Sequence, residues 1–124
     1  MAAETEALAR AAAIALDDKK AQDVVVLDVH ELLVITDIFV IASGGSRRQV
    51  QALIDAVEDS LRGIDRKPLR REGEEDAQWV LLDYGDVVVH VFDHPTRAYY
   101  DLERLWGDAP RLDAGLDQPA VSEG

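Results

Sequence analysis

Apolar and polar residues alternate along the chain with two distinct periods, and the periods divide it into elements. Residues 3–20 are alanine-rich, with Leu8, Ala11, Ala12 and Ala15 at helical spacing, which predicts a first helix. "VVVLDV" (24–29) is a β-branched run of strand length, and "ITDIFVIAS" (35–43) is a second. Ser46 is an N-cap residue, and Gln49 three positions later completes a capping box. Val50, Leu53, Ile54, Val57 and Leu61 then form one apolar stripe on a helix that Gly63 should end at its C′ position.

The second half is mostly strand. "KPLRREGEED" (67–76) is polar and should hold a short edge strand and a loop. "QWVLLDY" (78–84) and "DVVVHVF" (86–92) are joined through Tyr84-Gly85, close enough for an antiparallel hairpin. "TRAYYDLERLW" (96–106) reads as a last helix, followed by Gly107. The expected order is α-β-β-α-β-β-β-α. This is an α/β fold, a mixed sheet packed with helices, filling residues 1–107 as one domain. Residues 108–124 carry two prolines, two glycines and no period, and are expected to be a disordered acidic tail.

Side chains alternate across the hairpin, so its two faces can be read. Pairing Asp83 with Asp86 sets Leu81 opposite Val88 and Trp79 opposite His90. One face is then Val80, Leu82, Val87, Val89 and Val91, purely aliphatic, and belongs under the helices. The other carries Trp79, Leu81, Asp83, Asp86, Val88 and His90. Tryptophan beside polar groups is the composition of an interface, where aromatic anchors are enriched. The competing reading is that the last helix covers this face. Tyr99 and Tyr100, just beyond the hairpin, are second-rank members of the same surface.

Composition narrows the partner. The chain has 124 residues, 48% apolar, enough for one core. It has no cysteine, so disulfides and thiolate metal sites are excluded. The first ten residues carry acids and no long apolar run, so neither a secretory signal nor a membrane span is expected. A soluble cytoplasmic protein follows. The net charge of −12, from 25 acids and 13 bases, opposes direct nucleic-acid binding. It suits a basic protein partner, because complementary charge speeds encounter.

Candidate chemistry is thin. Strand, Ser43-Gly44-Gly45-Ser46, helix resembles the opening of a nucleotidyltransferase site, which also needs carboxylates at alternate strand positions to hold Mg²⁺. Asp55, Glu58 and Asp59 fall on the predicted helix instead, and Asp83 and Asp86 flank a turn. The turn also lacks the lysine of a P-loop and the spacing of a dinucleotide fingerprint. His90 and His94 sit in a strand and before a proline, so they need not converge on a metal. No serine lies in a G-x-S-x-G elbow. No catalytic residue, cofactor or metal is expected.

"VLDV", "TDIFVIASG-S-RQV", "EG…W-LLDYGDVVVHVF" and "YYDLERLW" together resemble the Iojap-related ribosomal silencing factors, from about residue 10 to Trp106. Gly45 and the longer tail depart from the family pattern. The resemblance implies a nucleotidyltransferase-like fold without the activity, the glycine turn being architecture that lets the strand turn into the helix. It also implies a translational repressor. Such a protein binds the large ribosomal subunit through its fourteenth protein, blocks joining of the small subunit, and lowers translation when nutrients are scarce. The resemblance leaves room for a homodimer when the protein is free, without fixing the solution oligomer. The runner-up function is a nucleotide-handling enzyme with a degenerate site.

Overall fold

A computed structural model describes residues 3–33, 35–73, 75–101, 104, 107 and 109–112. The elements are α1 (Ala3–Asp18), β1 (Gln22–Asp28), β2 (Ile38–Gly44), α2 (Arg47–Arg62), β3 (Arg70–Glu72), β4 (Trp79–Asp83), β5 (Val87–Asp93) and α3 (His94–Tyr100). The order is the one the periodicity predicts. The strands form one five-stranded sheet, β1-β2-β5-β4-β3, in which β2 and β5 run parallel and the other neighbours antiparallel.

Why these elements form is visible at their ends. Ser46 has extended backbone, and its hydroxyl accepts from Gln49 N at 3.1 Å. The Gln49 side-chain oxygen accepts from Gly45 N rather than from the cap residue itself, so the box closes one residue early. Gly44 packs closely, since a β-carbon there would lie 3.1–3.3 Å from Val50 and Leu53 and would crowd both. A β-carbon at Gly45 would make only ordinary contacts with the Gln49 and His94 side chains, and neither glycine has positive φ. The expected sharp turn at Gly44-Gly45 is therefore a close approach of strand to helix at Gly44 alone.

The end of α2 differs from expectation. Gly63 is right-handed (φ −63°) and continues the last turn. The left-handed residue is Asp65 (φ 64°), with Asp65 N donating to Arg62 O and Arg66 N to Leu61 O. That is the Schellman pattern displaced two residues downstream of the glycine. α1 ends the same way, at Lys20 (φ 66°), with Ala21 N donating to Leu16 O.

α1 and α2 cover one face of the sheet. The predicted stripe Val50, Leu53, Ile54, Val57 and Leu61 is fully buried there against Ile38, Val40, Val80, Leu82, Val87, Val89 and Val91. The aliphatic hairpin face thus lies under the helices. A second, smaller cluster forms on the opposite face from Leu27, Val29, Phe39, Ile41, Val88 and Phe92.

Three boundaries moved furthest. β2 starts at Ile38 rather than residue 35, because Ile35 is exposed and Asp37 joins a loop, its N–H donating to Asp86 O. α3 stops at Tyr100, where Asp101 turns left-handed (φ 47°), not at residue 106; most of 102–106, Trp106 included, lies outside the described residues. The chain beyond 107 was expected to be a disordered tail, yet residues 109–112 lie against the outer edge of β1. Asp28 N donates to Pro110 O (2.8 Å), Leu112 N donates to Val26 O (2.9 Å), and Ala109 is buried. Residues 113–124 fall outside the described residues.

Candidate protein-binding surface

The hairpin sets the surface. Its loop is Gly85-Asp86, with Tyr84 N donating to Val87 O and Gly85 at φ 91° in the first loop position. Glycine there suits a two-residue hairpin turn. The register is Trp79 with Phe92, Leu81 with His90 and Asp83 with Val88. This is two residues from the expected pairing. Because side chains alternate, a shift of two keeps every residue on its face, whereas a shift of one would have reversed them all.

On the face away from α1 and α2 the structure gathers a run of aromatic rings. Trp79 lies 4.9 Å from Phe92 and 4.7 Å from Tyr100, between ring centroids. His90 meets Phe39 edge-on at 4.7 Å, and Tyr99 meets Tyr100 edge-on at 5.0 Å. Such offset and edge contacts are the favoured ring geometries and make the patch stiff. Trp79 and Leu81 are half-buried, Tyr100 is 49% exposed and Tyr99 81%. These four side chains carry the accessible apolar surface of the site. Below them Val88 and His90 are buried, 9% and 5% exposed. They were expected to meet a partner directly, but they support the surface from beneath.

One polar contact organises the patch. The Trp79 Nε1–H donates to His90 Nδ1 at 3.1 Å. Indole can only donate, so His90 accepts at Nδ1 and carries its proton on Nε2. Nε2 is buried and has no hydrogen-bond partner among the described residues. Burial pushes the imidazole pKa down to about 4, with the distant Asp83 charge opposing slightly. The ring is therefore neutral at physiological pH.

The two hairpin carboxylates part company. Asp83 sits at the edge of the patch, but its oxygens are engaged. Oδ2 accepts from Arg70 Nη2 (2.9 Å) and Nε, and Oδ1 from Gly85 N (2.8 Å). Asp86, expected on the same rim, is drawn to the helix side. It accepts from Thr5 Oγ1 of α1 (2.9 Å) and Arg66 Nη2 (3.0 Å). Burial alone would raise its carboxyl, but these bonds and the Arg66 charge outweigh that and hold it low. Asp86 thus ties the turn to α1 and leaves the surface. The reason is its place in the two-residue loop, where strand alternation no longer fixes side-chain direction.

Two contributors were missed, Phe39 and Phe92. Both have the right strand parity, and Phe92 directly faces Trp79. The signal was present in the alternation of β5, which continues past His90. Gly73, the glycine of the "EG" pair ahead of Trp79, has a structural reason. It is left-handed (φ 85°), and a β-carbon there would strike the Trp79 carbonyl. The edge beyond this face is closed by β3, whose Arg70, Arg71 and Glu72 are all exposed and charged, a standard guard against strand pairing.

Other candidate chemistry does not assemble. His90 is buried on the sheet face while His94 is exposed at the start of α3. Asp59 pairs with Arg62 on α2 (2.8 Å). Among the described residues no three acidic or histidine side chains converge on a point that could hold a metal, and no helix is long and apolar enough to cross a membrane.

The relatives of this chain identify its family. The profile described as "Ribosomal silencing factor during starvation" matches residues 2–123. A Bacillus subtilis protein named ribosomal silencing factor RsfS is 45% identical over 117 residues, 91% of this chain and 98% of that one. The like-named protein of Halalkalibacterium halodurans is 50% identical over 101 residues, covering 80% and 85%. The chloroplastic protein Iojap of Zea mays is 36% identical over 93% of this chain and 50% of its own length. A crystal structure of a Chromobacterium violaceum protein superposes with a TM-score of 0.80 at 35% identity, over 100% of this chain and 95% of that one. With a full-length profile match and near-full-length relatives above 30% identity, the chain belongs to the ribosomal silencing factor family.

Proposed function

We propose that this protein is a cytoplasmic translational repressor. It binds the large ribosomal subunit through that subunit's fourteenth protein and occupies ground the small subunit needs. Joining is blocked by steric exclusion, and translation slows under nutrient limitation. Family membership supports the ribosome-directed role. The observation that carries the choice of surface is the accessible aromatic patch, in which Trp79, Leu81, Tyr99 and Tyr100 stand over a stiff, buried layer. Partly exposed Trp and Tyr on a rigid base are the usual anchors of a protein interface.

The mechanism requires a surface and no bond-making step. A typical interface takes about 800 Å² from each partner, and a few anchors supply most of its energy. The net charge of −12 favours a basic ribosomal protein and accelerates the encounter. Sucrose-gradient sedimentation of the protein with purified large subunits is the direct test. The protein should travel with the large subunit and reduce the joined-ribosome peak when small subunits are added. Migration with small subunits alone would refute the assignment.

A further inference from the structure

Without residues 109–112, β1 would be an open edge of the sheet, with a row of unpaired backbone groups. The segment forms one isolated bridge, Leu27 opposite Arg111. Asp28 N donating to Pro110 O (2.8 Å) and Leu112 N donating to Val26 O (2.9 Å) frame it. Pro110 has no N–H to donate, so the segment makes only these two backbone hydrogen bonds to β1 among the described residues. On its other side β1 pairs with β2 without a break from Val25 to Asp28. A segment held so lightly opens locally, at far less cost than unfolding the sheet.

The same segment is built into the face that carries the aromatic patch. Ala109 is buried in one cluster with Leu27, Phe39, Val88 and Phe92, and Trp79 and Leu81 pack against that cluster. The contacts run in a short line. Leu27 pairs with Phe39 across β1 and β2, Phe39 meets His90 edge-on, and His90 accepts the Trp79 indole proton. The chain supplies a second link. Tyr100 packs on Trp79, and only residues 101–108 separate it from the segment. Undocking therefore uncovers part of the layer on which Trp79 stands.

We propose that residues 109–112 are a detachable strap coupled to the aromatic patch. Docked on β1, the strap holds Trp79 and its neighbours in the form that binds a partner. Released, it lowers affinity without changing any residue of the patch. The coupling stands on contacts within this chain, and the effect on affinity rests on the ribosome-directed reading. Coupling is reciprocal, so what loosens the patch must also loosen the strap.

Amide exchange of the free full-length protein, followed residue by residue by NMR, tests the coupling. The Asp28 and Leu112 N–H groups should exchange faster than those of β2 and β5, by local opening. Trp79→Ala should speed both about fivefold or more. Leu53→Ala, which weakens the core on the other face of the sheet, should leave that local opening unchanged. Titrated sedimentation with purified large subunits tests the consequence. Ala109→Asp puts a charge into the buried site, and Leu112→Pro removes the N–H donor. Both variants keep the five strands and the whole patch, and each should weaken binding about fivefold or more. Native protein that fails to sediment contradicts the ribosome-directed reading alone, and the exchange rates then decide the strap. Strap amides as slow as those of the central strands, no acceleration by Trp79→Ala beyond that by Leu53→Ala, or native affinity in both strap variants would each overturn the proposal.

Discussion

Trp79 and His90 form a pair whose consequences can be measured separately. Burial keeps the imidazole neutral, with its pKa pushed down to about 4 from an ordinary 6.5, while its Nδ1 accepts the indole proton. Unfolding frees it to titrate normally. Between about pH 6.5 and pH 4 the unfolded chain binds a proton that the folded chain refuses, so stability falls as pH drops through that window, by up to roughly 3 kcal/mol. Above about pH 6.5 this group has no effect. Denaturant melts at about pH 7 and about pH 5 should show the loss in the native protein and a smaller one in His90→Gln. Equal losses in both would mean that the imidazole does not control acid stability. On the binding side, Trp79→Ala should weaken large-subunit affinity by ~2 kcal/mol or more, the usual hot-spot threshold. It will also cost stability, since the ring packs on Phe92 and Tyr100. Tyr99→Ala is the cleaner probe. At 81% exposure it should change stability by less than ~0.5 kcal/mol while still weakening binding. Wild-type affinity in both variants would remove the patch from the interface.

Among the elements, α2 was the most legible in the sequence. A stripe at period 3.6 bracketed by a capping serine leaves little freedom, and all five stripe residues are buried. Leu53→Ala should cost roughly 2–5 kcal/mol, as buried truncations do, and a thermal melt unchanged by it would contradict that packing. The hairpin faces were legible for the same reason, because alternation fixes them whichever even register the turn selects. The register itself was not, since Tyr84-Gly85 and Gly85-Asp86 are both plausible loops and the choice falls to backbone geometry at Gly85. Helix ends were harder still. Asp65, Lys20 and Asp101 take the left-handed positions usually marked by glycine, so nothing in composition announced them. Least visible was the pairing of 109–112 with β1, which rests on backbone hydrogen bonds and leaves no side-chain pattern around Pro110. It yields its own prediction. A chain ending after Gly107 should lose about 1–3 kcal/mol relative to one ending after Leu112, for two hydrogen bonds and the cover that Ala109 supplies. Equal denaturation midpoints for the two chains would show that the pairing adds no stability.

At the scale of the whole molecule, the sheet separates two tasks. One face binds α1 and α2 and holds the core, and the other leaves aromatic side chains accessible beside a closed, charged edge. The residues of the accessible patch could be nominated from the sequence because strand parity groups them. Which of them reach solvent could not, since Val88 and His90 share that parity and are buried under their neighbours. The acidic surface acts at longer range. Association with a basic partner should slow as ionic strength rises, while dissociation changes little, and stopped-flow binding at two salt concentrations would show it. The most direct measurement is a sucrose gradient of purified large and small subunits mixed with the full-length protein and with its Tyr99→Ala and Trp79→Ala variants. The native protein should sediment with large subunits and deplete the joined-ribosome peak, and both variants should shift toward the top of the gradient and restore joining. Native protein left at the top, or ribosomes joining fully with the protein still bound to the large subunit, would contradict it.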